Sequence, residues 1–83
     1  MADDPVRLVV AGETALNFWI EVDGSELLVT VTQEALRDGL GFKGRMLAEG
    51  ADFYLRHRTI IDAAAHRVHG LRGEPVVVVR GDF

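Results

Sequence analysis

Three glycines near the middle of the chain have the spacing of a phosphate-binding loop. Gly39, Gly41 and Gly44 match the pattern G-x-G-x-x-G, with which dinucleotide-binding proteins hold phosphates between a strand and a helix. The surrounding sequence does not fit this use, because a capped helix lies between the end of the preceding strand, near Val31, and Gly39. We therefore interpret the glycines as a connection between two helices, and we expect no nucleotide and no other cofactor.

A weaker anion site remains open in the same connection. Lys43 and Arg45 are cationic, and the backbone N–H groups at the start of a following helix attract anions. This anion-loop hypothesis involves Gly41, Lys43, Gly44 and Arg45. Its ligand would be a loosely held anion.

Three metal-capable side chains follow one another at helical spacing in the second half of the chain. Asp62, His66 and His69 stand at positions i, i+4 and i+7, which places them on one exposed face of a helix. Zinc takes such ligands, and water or a second chain could supply the fourth. The alternative, which we favour, is an ordinary solvated face on which Asp62 pairs with His66.

His57 lies within the apolar stripe that we predict for the same helix. The other residues of this stripe are Phe53, Ile60, Ile61, Ala64 and Val68, with Leu71 as its continuation and Met46 as a further member if the helix starts early. We interpret His57 as a core or boundary histidine, with a catalytic base or a switch as the alternative. No nucleophile accompanies it, because the chain has no cysteine and its single serine, Ser25, falls in a hairpin turn. We therefore do not expect an enzyme.

The same helix is basic. Its arginines are Arg56, Arg58, Arg67 and Arg72. Planar guanidinium groups suit carboxylates and phosphates, so this surface could bind an acidic protein or a phosphate-bearing ligand. The alternative is solvated charge and ion pairing with the acidic half of the chain. Residues 1–52 hold ten acidic and four basic residues, whereas residues 53–83 hold three acidic and five basic ones.

The elements that must position these residues form a single domain over residues 1–83. Residues 6–10 are a short β-type run, and residues 16–22 alternate apolar and polar side chains as a strand with one buried face does. The dipeptide Asp23-Gly24 indicates a tight hairpin turn into a third strand. Thr32 then caps a short helix that ends near Gly39.

A longer helix starts between residues 44 and 52 and runs to about His69, and Pro75 opens a last strand. The order is β-β-β-α-α-β. It indicates an α+β fold of two layers, with a mostly antiparallel four-stranded sheet and two helices on one face. Residues 76–79 are all valine, so we expect the last strand to be central and covered on both sides.

The other face of this sheet is expected to be apolar and uncovered. Trp19 and Leu28 point away from the helices if Phe18 and Val29 point inward. Because an exposed apolar face usually meets a partner, we predict a homodimer. The alternative is that the N-terminal segment or a loop covers this face.

The composition argues against several classes of protein. A net charge of −4 disfavours nucleic-acid binding, which depends on phosphate neutralisation. No apolar run approaches the ~20 residues of a membrane-spanning helix. The acidic start, MADDPVRL, is unlike a secretion signal. We expect a cytoplasmic protein with no membrane association.

The order of motifs also resembles a known family. A hairpin with Asp-Gly is followed by the capped segment VTQEALRD, then FYLRHRTIIDAAAHRV and a last strand PVVVVRGDF. This order resembles the small bacterial proteins grouped as domain of unknown function 1488, over about residues 15–80. The matching positions are Asp23, Gly24, Ala35, Leu36, Phe53, His57, Arg58, Ile61 and Ala65. The resemblance implies an α+β fold and no assigned activity, and the glycine loop departs from the family pattern.

These observations favour a non-enzymatic interaction module that acts through the basic helix or the apolar sheet face. The residues proposed for binding are His57, Arg58, Arg56, Arg67 and Trp19. The alternatives are a nucleic-acid or phosphate-ligand binder, and a metal or proton-transfer site on the long helix.

Overall fold

The chain forms one sheet with helices packed against it, which confirms the predicted α+β class. The computed structural model describes residues 9–83. The strands are β1 (Val10–Ala11), β2 (Ala15–Val22), β3 (Ser25–Thr32) and β4 (Val76–Val78). The helices are α1 (Gln33–Leu40), α2 (Met46–Arg56) and α3 (Arg58–Arg72). Of the first strand predicted over residues 6–10, residues 6–8 lie outside the described part.

The sheet has the strand order β1-β2-β3-β4, in which the last pair is parallel and the other two pairs are antiparallel. The predicted turn joins β2 to β3, with Val22 opposite Ser25. Asp23 has φ 54° and Gly24 has φ 82°. Positive φ at both central residues is what a tight two-residue hairpin requires, so the hairpin prediction is confirmed.

The last strand lies at the edge of the sheet among the described residues, so the prediction of a central strand is wrong. β4 pairs only with β3, and its burial alternates: Val76 and Val78 are buried, whereas Val77 is half-buried. A run of valines satisfies an alternating edge strand as well as a central one, because valine tolerates partial exposure. The open edge is capped by side chains, since Val77 accepts a hydrogen bond from Arg72 and Val79 donates one to Asp82.

The core lies on one side of the sheet. This inner face carries five buried residues of β2 and β3, which are Leu16, Phe18, Ile20, Val29 and Val31. Helix residues complete the cluster, and the ring of Tyr54 stacks on Phe18 at 4.4 Å between centroids. Apart from the tyrosine Tyr54, no polar or charged side chain among residues 9–83 is buried. The described part of the molecule is therefore held together mainly by apolar burial.

The predicted long helix is divided in two at His57, so residues 9–83 contain three helices rather than the expected two. His57 has φ −114° and ψ 23°, and its N–H is shared between the carbonyls of Phe53 and Tyr54. The buried face of α2 runs through Tyr54 rather than Phe53, and Ile60 is 51% exposed. The single apolar stripe predicted for residues 53–68 is therefore wrong in part.

The helix ends follow local rules closely. The Thr32 side chain accepts a hydrogen bond from the N–H of Ala35, as predicted for a cap. α1 ends at Gly41 with φ 76°, and α3 continues to Gly73 with φ 74°. Gly70 lies within α3, so this helix is longer than predicted. No helix in residues 9–83 has the length and apolar character needed to cross a membrane.

Candidate functional site

The three glycines of the predicted connection each have a separate structural reason. Gly41 ends α1 with a positive φ. A Cβ on Gly39, in the last turn of α1, would lie 2.7 Å from the Cβ of Phe83. A Cβ on Gly44 would collide with the carboxylate of Glu49. The three glycines are therefore explained by one backbone conformation and two close contacts within the chain, without a bound phosphate.

A carboxylate of the chain already occupies the place where the anion-loop hypothesis puts its ligand. Arg45 precedes α2, and its N–H donates to Oε1 of Glu49 at 2.9 Å. Lys43 lies beside a shallow cleft of about 210 Å³, but Glu49 and Asp52 also line this cleft. An incoming anion would meet two carboxylates together with Lys43 and Arg56. The geometry gives the anion-loop hypothesis little support.

The residues of the predicted metal stripe do not converge. Asp62 accepts a hydrogen bond from the Tyr54 hydroxyl at 2.7 Å and pairs with Arg58 at 3.5 Å, rather than with His66. His66 is exposed and His69 is half-buried. Within the described residues, no group of three His, Cys, Asp or Glu side chains is arranged to hold a metal ion. Asp62 instead joins α3 to α2 across the helix break.

His57 and Arg58, two of the positions that match the family pattern, face different neighbours. The half-buried His57 ring lies 4.3 Å from the ring of Phe53, which in turn meets Phe42 edge-on at 4.8 Å. Arg58 turns to Asp62. His57 therefore sits at the boundary of the core, beside an aromatic row, and at the junction of two helices.

The arginines of the predicted basic surface are engaged within the chain. Arg56 pairs with Asp52 at 3.2 Å, and Arg58 pairs with Asp62. Arg67 donates to the backbone carbonyl of Asp82, and Arg72 pairs with the Asp82 carboxylate at 2.7 Å. An anionic ligand would have to replace these contacts. Of these four arginines only Arg56 pairs with the acidic half of the chain, as the ion-pairing alternative predicted, and the acceptors of the other three belong to the second half.

Asp82 is the residue that the sequence interpretation missed. Its carboxylate accepts hydrogen bonds from the N–H of Val79 at 2.8 Å and from Arg72. The Val79 hydrogen bond and then the Arg72 contact lower the pKa of Asp82, and the charge of Arg67 adds to the effect. An aspartate placed after Gly81 is a turn signal, which would have predicted a local bond but not the two arginines.

The outer face of the sheet, the side opposite the buried core residues, carries an apolar pair at its middle. Trp19 lies directly opposite Leu28, and these side chains are 37% and 47% exposed. Along the strands, the neighbouring pairs on this face are Asn17 opposite Thr30 and Glu21 opposite Glu26. We use "outer face" for this surface, which also includes Val10 and Val77. The register thus brings together the apolar residues that the sequence predicted for this side.

No protein-family model, curated protein or solved structure matches this chain. The resemblance to the proteins of domain of unknown function 1488 therefore stays a prediction. The function has to be argued from the geometry of the surfaces described above.

Proposed function

We propose that this chain is a non-enzymatic interaction module that pairs with a second copy of itself through the outer face. The observation that carries this proposal is the exposed Trp19–Leu28 pair at the middle of that face. In the proposed arrangement the helices form a single layer on the inner face, so that the second copy covers the outer one. An exposed apolar sheet face is typical of a protein–protein contact.

The size of the outer face suits a weak dimer. β2 and β3 have eight residues each, whereas β1 has two and β4 has three, so at about 3.3 Å per residue and about 4.8 Å per strand the face covers roughly 330 Å². Two such faces in contact would bury on the order of 700 Å² in total, which is the size of a weak, transient contact. We therefore expect dissociation in the micromolar range.

The other surfaces are less suited to a partner. The arginines of α2 and α3 already contact acceptors of the same chain, which disfavours both a nucleic acid and an acidic protein as ligand. A catalytic role draws no support from the described residues, because none of their acidic, basic or histidine side chains is buried. Active sites usually desolvate such groups to tune them.

Sedimentation equilibrium of the wild type and one variant tests the proposal. We expect the wild type to dimerise in the micromolar range, and Leu28→Lys to raise the dissociation constant at least tenfold, because a lysine would be desolvated at the centre of the contact. Leu55→Lys is the matched control: Leu55 lies on α2 and is 52% exposed, close to the 47% of Leu28. A wild type that stays monomeric at several hundred micromolar would exclude self-association.

A further inference from the structure

The outer face changes character along the strands in a regular order. At one end Glu21 lies directly opposite Glu26, and like charges in directly opposed positions repel. The apolar Trp19–Leu28 pair comes next, and the Asn17–Thr30 pair follows on the other side of it. Residues 9–32 contain four acidic side chains and no lysine or arginine, so β1–β3 supply no cation to offset the glutamates.

The Asn17–Thr30 pair presents hydrogen-bond donors. The hydroxyl of Thr30 donates to Oδ1 of Asn17 at 2.7 Å. In this bond the oxygen of the Asn17 amide is the acceptor. The NH₂ group of the same amide carries two donor hydrogens that this bond does not use. One end of the outer face therefore offers only acceptors, and the other end offers amide donors.

Two symmetric ways of stacking these faces differ in the charges that they bring together. Packed sheets keep their strands roughly aligned, so a two-fold axis runs either along the strands or across them. An axis along the strands sets β2 against β3 of the second copy, so Glu21 would face the partner's Glu26. An axis across the strands, through the Trp19–Leu28 pair, sets each strand against its own counterpart. Glu21 then faces the partner's Asn17.

We infer that the two copies pack with their strands antiparallel across the interface, so that Glu21 receives hydrogen bonds from the partner's Asn17. The inference rests on the proposed self-association through the outer face. Like charges in contact across an interface are strongly unfavourable, whereas an amide donor on a carboxylate is favourable. Trp19 and Leu28 each meet their own counterpart near the two-fold axis, which keeps the apolar residues at the centre.

Two substitutions that change the charges at positions 17 and 21 test this arrangement. Asn17→Asp keeps an oxygen that accepts the Thr30 hydroxyl, but it sets a carboxylate against the partner's Glu21 at two symmetric places. We expect the dimer to weaken about tenfold. Adding Glu21→Lys to this variant should restore wild-type affinity or better. Sedimentation equilibrium at low and high salt measures both effects, and the loss should shrink with added salt.

The competing arrangement gives the opposite results. If Glu21 faces the partner's Glu26, Glu21→Lys alone should tighten the dimer about tenfold or more, and Asn17→Asp should have no effect. Those results, in a dimer that Leu28→Lys still disrupts, would overturn the antiparallel arrangement and leave the proposed function in place. A monomeric wild type would overturn both.

Discussion

Asp82 closes the exposed edge of β4 with its side chain and its backbone. The carboxylate takes the N–H of Val79, which otherwise would extend the open edge, and Arg72 bridges Asp82 to the carbonyl of Val77. Sheet edges left open tend to pair with other chains. Asp82 is therefore a structural residue that protects this edge, and its ionised form is required for the contact with Arg72.

We predict that Asp82→Asn lowers stability in a pH-dependent way. The pKa of Asp82 lies below its ordinary value of 3.8 in the folded chain, so the unfolded chain binds the proton more readily. The stabilisation is then complete above about pH 5 and is lost as the pH falls through the folded pKa. We expect a loss of about 1 kcal/mol at pH 7 that shrinks at acid pH. Urea unfolding of the wild type and the variant at several pH values measures this loss in the free energy of unfolding.

The control for this variant is Asp52→Asn. Asp52 pairs with Arg56, but both side chains are mostly exposed. An exposed pair four residues apart on a helix contributes at most about 0.5 kcal/mol. Equal losses for Asp82→Asn at pH 7 and at pH 2.5 would contradict the ionic role of Asp82.

We predict that substitution by alanine has opposite effects on stability at Gly39 and at Gly70. Both glycines lie in helices, where alanine is favoured over glycine by up to about 1 kcal/mol. No atom lies within 4 Å of a Cβ built on Gly70, so Gly70→Ala should stabilise the fold. A Cβ on Gly39 would displace Phe83, so Gly39→Ala should be at least ~1 kcal/mol less stable than Gly70→Ala. Chemical denaturation compares the two variants.

Phe83→Gly provides the second half of this test, because it also removes the Cβ of Phe83 that lies 2.7 Å from a Cβ built on Gly39. In the double variant Gly39→Ala/Phe83→Gly the added methyl group has room, so the alanine at position 39 should no longer be unfavourable. If Gly39→Ala alone stabilises as much as Gly70→Ala, Phe83 does not pack on α1 in solution.

At the scale of elements, the break between α2 and α3 organises the helical part of the chain. The segment Arg56-His57-Arg58 contains neither proline nor glycine, so no local helix breaker predicts a break. Contacts across the break hold the two helices: Tyr54 stacks on Phe18 of β2 and donates its hydroxyl proton to Asp62 of α3. Asp62 thereby acts as a link between helices, which leaves it turned away from the histidines of the metal hypothesis.

We predict that Tyr54→Phe costs more than Asp62→Asn. Phenylalanine keeps the ring on Phe18 but removes the hydroxyl donor, and we expect a loss of about 1–1.5 kcal/mol in the free energy of unfolding. Asn at position 62 keeps an acceptor for Tyr54 and loses only the pair with Arg58, so it should cost about 0.5 kcal/mol or less. Denaturant unfolding ranks the two variants, and a neutral Tyr54→Phe would show that the link contributes nothing.

At the scale of the whole molecule, charge is divided between the sheet and the rest of the chain. Residues 9–32 carry no lysine or arginine, and every basic residue of the described part lies between Arg37 and Arg80. The basic side chains of α2 and α3 find acceptors nearby, whereas Glu21 and Glu26 face each other on the outer face. Because of this division, the free energy of pairing through the outer face should depend on the orientation of the second copy. The substitutions at positions 17 and 21 test that orientation.

The dimer prediction belongs to this scale because no single residue creates the interface. Leu28 is only one of several exposed large apolar side chains, and Leu55 is exposed to a similar extent on α2. What distinguishes Leu28 is its place beside Trp19 on a continuous sheet surface. Comparing Leu28→Lys with Leu55→Lys therefore separates the effect of the surface from the effect of exposure alone.

Much of the fold could be predicted because it depends on neighbours in the sequence. The alternation of residues 16–22, the Asp23-Gly24 turn and the Thr32 cap all involve residues within a few positions of one another. The alternation also determines that Trp19 and Leu28 leave the core side, since side chains of a strand point to opposite faces in turn. These features need only local backbone geometry, and they are correct in the structure.

The remaining features depend on contacts between distant parts of the chain. β4 lies at an edge because the chain returns beside β3, and the Tyr54–Asp62 link spans a break that no local residue signals. Phe83 lies so close to Gly39 that a Cβ at position 39 would collide with it. Asp82 contacts Arg67 and Arg72, two of the arginines that had suggested an anion-binding helix. By itself, the sequence determined the elements and the apolar sheet face. Only tertiary packing decided which charged side chains pair within the chain and which glycines have a close neighbour. The same local pattern is compatible with several partners for each of them.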